Sequence, residues 1–200
     1  MKEVPATVAW VRMAGRGAPA SWLLAELDAI REAGVARVVV LDAAGVTPGD
    51  AVQMDRARLR ALALFALPVV CCFEDALGPA IAAVALAADI RVCGAGASLM
   101  ARAGDVPMAA GELLNAGLVT RVMPAGRASE EAGRLAAVIA SRGPIATRLA
   151  KEAIRRGAHQ PLEQALRFET DLTLLLQTTK DRAEGVRAFL EKRPPLFTGE

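Results

Sequence analysis

From Thr7 to Gly94 the chain alternates short β-branched runs with segments of helical period, and that alternation leaves few architectures open to it. Thr7–Met13, Ala36–Leu41 and Pro68–Phe73 are apolar, of strand length and bounded by turn residues. Between the first two, Leu23, Leu24, Leu27 and Ile30 share one helical face of Ser21–Ala33, a segment that Ser21 opens as an N-cap and Gly34 closes. A strand, helix, strand unit of this kind favours a parallel sheet with right-handed crossovers. Helices are also expected over Ala57–Ala66 and Pro79–Ala88, with a short strand over Ile90–Cys93 that ends at Gly94. From Ser129 the pattern is helical only, over Glu130–Ser141, Pro144–Gly157, Leu162–Thr179 and Ala183–Lys192. The expected order is a β/α core, residues 1–126, followed by a helical segment of the same domain, residues 127–200. Gly104–Gly111 is expected to be an irregular surface connection.

Composition removes several classes of function. The net charge is +2, from 24 basic and 22 acidic residues spread along the chain, so no basic stripe marks a nucleic-acid partner. The longest apolar stretches, Ala61–Phe73 and Ala76–Ala88, are too short or too broken by Gly and Pro to span a bilayer, and Lys2 and Glu3 precede no apolar leader. A soluble, cytoplasmic protein is expected, with no membrane partner. Its three cysteines, Cys71, Cys72 and Cys93, have neither a disulfide framework nor metal-ligand spacing and read as small buried side chains. The single histidine, His159, lies in the turn Gly157–Pro161 without a Ser or Cys motif beside it, and no phosphate-binding glycine loop is present. Glu74 and Asp75 precede the Pro79–Ala88 helix. They are either turn and capping carboxylates or, in the case of Glu74, a candidate acid or base.

Three segments near the C-terminus carry a family signature: Arg167-Phe168-Glu169-Thr170-Asp171, Asp181-Arg182-Ala183-Glu184-Gly185 and Phe189-Leu190-Glu191-Lys192-Arg193-Pro194-Pro195. They resemble the C-terminal helical segment of the crotonase superfamily, the enoyl-CoA hydratases and isomerases. Ala109–Val119 resembles the family stretch that ends in Gly-Leu-Val, and Phe73–Ile81 aligns with its Val-Asn-Gly-x-x-x-Gly-Gly-Gly stretch. The resemblance implies an α/β fold of the crotonase-like (ClpP/crotonase) type, a ββα spiral core with a C-terminal helical region. It also implies an acyl-CoA thioester whose enolate is stabilised by two backbone N–H groups, with no tightly bound cofactor and coenzyme A thioester as substrate or ligand. The matching donors are the N–H of Asp50, in the loop Val46–Ala51, and that of Ala80, at the start of the following helix. At the coenzyme end the resemblance places Phe189 near the adenine and Lys192 near the ribose phosphate, across a subunit boundary. It implies a homo-oligomer, trimer or hexamer, or a hetero-oligomer with another crotonase-like subunit. Long apolar stripes at Leu162, Ala165, Leu166, Phe168, Leu172 and Leu174–Leu176 fit such packing.

Departures from the family pattern bear on chemistry. Ala83 stands where the first catalytic glutamate of a hydratase would be, and the second has no counterpart. Relative to the family, several tens of residues are absent between Ala97–Arg102 and Ala109–Val119. Ala80 and Ile81 replace glycines, which implies a narrower acyl pocket. Two functions are therefore expected from this sequence: an enoyl-CoA hydratase/isomerase-like protein that stabilises a thioester enolate without the standard glutamates, or a non-catalytic crotonase-like partner or scaffold subunit.

Overall fold

A strand buried on both faces needs apolar residues at every position rather than at alternate ones, and Val38–Asp42 and Val69–Phe73 are buried throughout. The computed structural model describes residues 7–13, 21–46 and 55–200, and the chain divides into two compact units at Ala137/Val138. The first unit contains β1 (Val8–Arg12), α1 (Ser21–Ala33), β2 (Val38–Asp42), α2 (Arg56–Ala63), β3 (Val69–Phe73) and β4 (Ala76–Leu77). It continues through α3 (Pro79–Ala87), β5 (Ile90–Gly94), β6 (Ser98–Leu99), β7 (Met108–Ala109), α4 (Ala110–Asn115) and β8 (Arg121–Met123). Helix α5 (Ala128–Ala140) runs through the division, and the second unit holds α6 (Pro144–Gly157), α7 (Leu162–Gln177) and α8 (Lys180–Leu190).

The main sheet has the order β1-β2-β3-β5-β8, and all four strand pairs are parallel. One face carries Val11, Val39, Leu41, Val69, Cys71, Phe73 and Cys93, packed with Leu23 and Leu27 of α1, Leu62 of α2 and Ile81, Val84 and Ala85 of α3. Alternation sends Trp10, Val40, Cys72 and Glu74 to the other face, where α5 lies with Gly133 against the Trp10 ring. Ala128, Ala132 and Ala136 of α5, four residues apart, are fully buried, which is the spacing of one helical stripe. The buried Glu131 is accounted for by Arg134 and Arg121, whose hydrogen bonds and charges, Arg134 first, hold its carboxyl below the ordinary range. Gly34 takes φ +68°, the left-handed value a C-terminal glycine supplies after α1.

Between Gly96 and Gly117 the chain is more ordered than expected. Within Gly104–Gly111, Met108–Ala109 forms β7, antiparallel to β6, and β6 in turn pairs with β4. Glu112 accepts the Ala109 N–H at 2.8 Å and so caps α4. A connection of residues 100–107 joins β6 to β7 where the resemblance implied missing residues. In the second unit, α6 and α7 pack on each other with the Arg156 guanidinium 5.7 Å from the centre of the Phe168 ring, and α7 meets α8. No described helix is long and apolar enough to cross a membrane. All three cysteines are free and buried, and burial pushes the Cys71 thiol up to about 12.

Candidate functional site

In the first unit the candidate site is the start of α3. Gly78 is its N-cap in an extended conformation and Pro79 is the first helical residue, a position where the missing proline N–H costs nothing. Ala82 N–H donates to Gly78 O at 2.9 Å. Ala80, one residue into the helix beyond Pro79, therefore has an N–H with no intrahelical acceptor at the positive end of the helix. The rest of α3, Ile-Ala-Ala-Val-Ala-Leu-Ala, has no ionisable side chain. Ile81, Ala82, Val84 and Ala85 are buried in the core, while Pro79, Ala80, Ala83 and Leu86 are half-buried. Ile81 is 2% exposed, so it fills the core rather than narrowing a pocket beside Ala80. Met100 N–H donates to Leu77 O at 3.0 Å, which sets the exposed 101–107 connection beside the turn into α3. Asp50 lies outside the described residues.

Glu74 sits just beyond β3 and faces α5. Its Oε1 accepts the Ala128 N–H at 2.7 Å and its Oε2 the Gly126 N–H at 2.9 Å, so both oxygens cap the start of α5. The carboxylate rests on Gly94, where a Cβ would overlap Oε2 and stand 3.1 Å from Cδ. Its charge, after burial, is the second cause that raises the neighbouring Cys93 thiol to about 11. Asp89, the acid that follows α3, also has a structural partner, accepting the Val69 N–H at 2.8 Å. Arg91 closes the far end of α3, donating to Ala88 O at 2.6 Å and to the Leu118 carbonyl. Among the described residues no group of His, Cys, Asp or Glu side chains could hold a metal ion.

The second candidate region is the end of α8. Phe189 is 82% exposed and Lys192 is exposed, with φ 54°. Lys192 N–H donates to Phe189 O at 3.2 Å and Arg193 N–H to Ala188 O at 3.0 Å, the paired bonds of a Schellman turn with lysine in the left-handed position. Glycine holds that conformation without the Cβ conflict. Replacing Lys192 with Gly should therefore raise stability by about 1 kcal/mol, read as a higher urea midpoint at unchanged slope; no gain would show that the turn is not strained.

Beyond the turn the chain doubles back along α8. Buried Asp181 accepts the N–H groups of Thr198 at 2.7 Å and Gly199 at 3.0 Å, and Phe197 packs on Gly143 and Gly185. Glu184 pairs with Arg193 through Nη1 at 2.6 Å and Nη2 at 2.9 Å and accepts the Leu196 N–H at 3.0 Å. Hydrogen bonding from Arg193 first, then from Leu196, holds the Glu184 carboxyl down at about 2. Its folded value lies below the ordinary carboxylate range, so its stabilising contribution is present above that range and is lost as pH falls through about 2. The acidic residues of the Asp181–Gly185 motif thus serve this strap, a role that residue types alone did not disclose. A concavity of about 780 Å³ lies between α8 and the strap, lined by Lys180, Arg187, Arg193 and Leu196 among others.

A family model described as enoyl-CoA hydratase/isomerase matches residues 100–200. The chain is 40% identical over 103 residues to a 2,3-dehydroadipyl-CoA hydratase of Escherichia coli, covering 52% of this chain and 40% of that protein. It is 42% identical over 88 residues to a probable mitochondrial enoyl-CoA hydratase of Arabidopsis thaliana, covering 44% of this chain and 29% of that one. The chain thus matches less than half the length of either relative. Among solved structures, an enoyl-CoA hydratase from Bacillus anthracis superposes with a TM-score of 0.82 at 26% identity, covering 97% of this chain and 96% of the other. A structure from Geobacillus kaustophilus described as enoyl-CoA hydratase subunit I gives 0.82 at 25%, covering 98% and 96%.

Proposed function

Because the chain belongs to the enoyl-CoA hydratase/isomerase family and has the crotonase fold, we propose that it binds an acyl-CoA thioester and stabilises its enolate form without the proton-transfer groups of a hydratase. The observation that carries this reading is the start of α3, where an N–H free of intrahelical bonding meets a helix with no ionisable side chain. The thioester oxygen would accept from Ala80 N–H, with Asp50 N–H as the second donor, and the helix dipole favours the negative charge that develops there. Glu74 keeps its capping role and moves no proton. Phe189 and Lys192 would hold the adenine and phosphate end of a coenzyme A bound to a neighbouring copy, an aromatic face beside a mobile point charge. Leu162, Leu166, Leu174 and Leu175 are exposed in the single chain, which supports a homo-oligomer, trimer or hexamer, or assembly with another crotonase-like subunit. The three free, buried thiols fit the cytoplasm.

The test is calorimetry with coenzyme A and acetyl-CoA on the purified protein. Binding is expected, and Lys192→Ala should weaken it by a factor that shrinks as salt rises, because an exposed phosphate contact is screened. No heat at millimolar ligand would reject the acyl-CoA reading. The absence of an acid or base on α3 would then favour the second reading, a non-catalytic partner or scaffold subunit.

A further inference from the structure

Helix α8 ends in a turn that suits glycine, yet a lysine occupies it. Lys192 is the one non-glycine residue with positive φ among the described residues, and its side chain is exposed. A residue held in a sparsely populated conformation persists only where its surroundings over-determine it. Here the surroundings are the two flanking side chains. Arg193, the next residue, is fixed through both Nη atoms to Glu184, at 2.6 and 2.9 Å. Its Nε donates to Glu191 Oε2 at 2.6 Å, on the other side of Lys192. The guanidinium therefore ties both flanks of the turn to the second turn of α8. Glu184 also accepts the Leu196 N–H at 3.0 Å, which leads the following chain back along the helix.

We propose that Glu184 is a positioning residue for an anionic ligand group: by fixing Arg193 it holds the left-handed turn that aims Lys192. The proposal rests on the reading that this helix end receives the phosphate end of coenzyme A, and it goes beyond that reading by assigning the residue that presents the ammonium. Glu184 touches no ligand and acts only through Arg193. A planar guanidinium gripped at two oxygens has one orientation, so the turn is preorganised before ligand arrives. Without the grip, a turn competent about one fifth of the time would raise the apparent dissociation constant about fivefold.

The experiment compares wild type, Glu184→Gln, Arg193→Gln and the double variant, with coenzyme A as the probe. Positive φ brings a residue's amide proton close to its own Hα, so an intense intraresidue cross-peak for Lys192 reports the turn directly. That peak should weaken in each variant while far-ultraviolet dichroism stays that of the wild type. Coenzyme A affinity should fall about fivefold in each single variant and no further in the double variant, since both side chains act through one contact. If Glu184→Gln does not fold, Arg193→Gln carries the same comparison. An unchanged Lys192 cross-peak overturns the proposal, as does unchanged affinity in a protein whose wild type binds. If the wild type binds no coenzyme A, the acyl-CoA reading fails by itself, and the cross-peak alone decides whether Glu184 sets the turn.

Discussion

Hydration of crotonyl-CoA by this protein is expected to run about 10⁴-fold or more below that of a family hydratase that carries both glutamates. One positioned acid or base contributes about 10² to 10⁴ in rate, and α3 offers neither. The position that resembles the first glutamate is Ala83, half-buried in a helix whose every side chain is a hydrocarbon. Of the carboxylates that flank α3, Asp89 accepts the Val69 N–H at 2.8 Å and Glu74 has both oxygens engaged by the backbone at the start of α5. Arg102 and Asp105 lie on the exposed connection between β6 and β7, where a charge stays solvated. Oxyanion stabilisation can survive such losses because it needs only backbone dipoles, so thioester binding and hydration should separate. Loss of enoyl thioester absorbance, followed across acyl chain lengths, measures hydration. Exchange of α-protons of butyryl-CoA in heavy water measures enolisation of the thioester and should be slow for want of a base. Turnover within about tenfold of an ordinary hydratase would refute the expectation, since it would require a proton donor or acceptor that neither α3 nor Glu74 supplies.

What could be read in advance follows the range of the interactions involved. The parallel strands were legible because double burial writes an unbroken apolar run, as in Val38–Leu41 and Val69–Phe73, and Pro144–Gly157 was legible to the residue because proline starts that helix. Strands of two residues, such as Met108–Ala109, have no period to read; their pairing with Ser98–Leu99 makes them. Ile81 was expected beside the acyl pocket because the aligned position suggests it, but one step along a helix is about 100° of rotation, and that step takes Ile81 into the core. Phe189 and Lys192 were picked out by resemblance, and the strain at Lys192 became visible only with its backbone angle. Glu74 was ambiguous because its partners, Gly126 and Ala128, are 52 and 54 residues away. No local pattern announces a cap supplied from so far along the chain.

That long-range cap predicts a coupled pair of destabilising substitutions. Glu74→Ala strands the N–H groups of Gly126 and Ala128, which lose charge-assisted bonds of 2.9 and 2.7 Å at the start of α5; the expected cost is about 3 kcal/mol. Gly94→Ala should cost about the same by a different route. Its Cβ would overlap Glu74 Oε2 and lie 3.5 Å from Glu74 Cα, so the side chain can clear it only by swinging away from both N–H groups. Once Glu74 has been removed, nothing remains for that Cβ to displace. The double variant should therefore be no less stable than Glu74→Ala alone, which gives a coupling energy of about 3 kcal/mol opposite in sign to the single effects. Glu74→Gln should fall between wild type and Glu74→Ala, because one oxygen can still accept one N–H while the amide NH₂ faces the other. Urea denaturation of the four proteins measures the cycle, and the change must appear in the midpoint rather than the slope. Additive losses in the double variant would show that Gly94 is needed for some reason other than the seat of Glu74. A neutral Gly94→Ala would show that the carboxylate is not held where α5 begins.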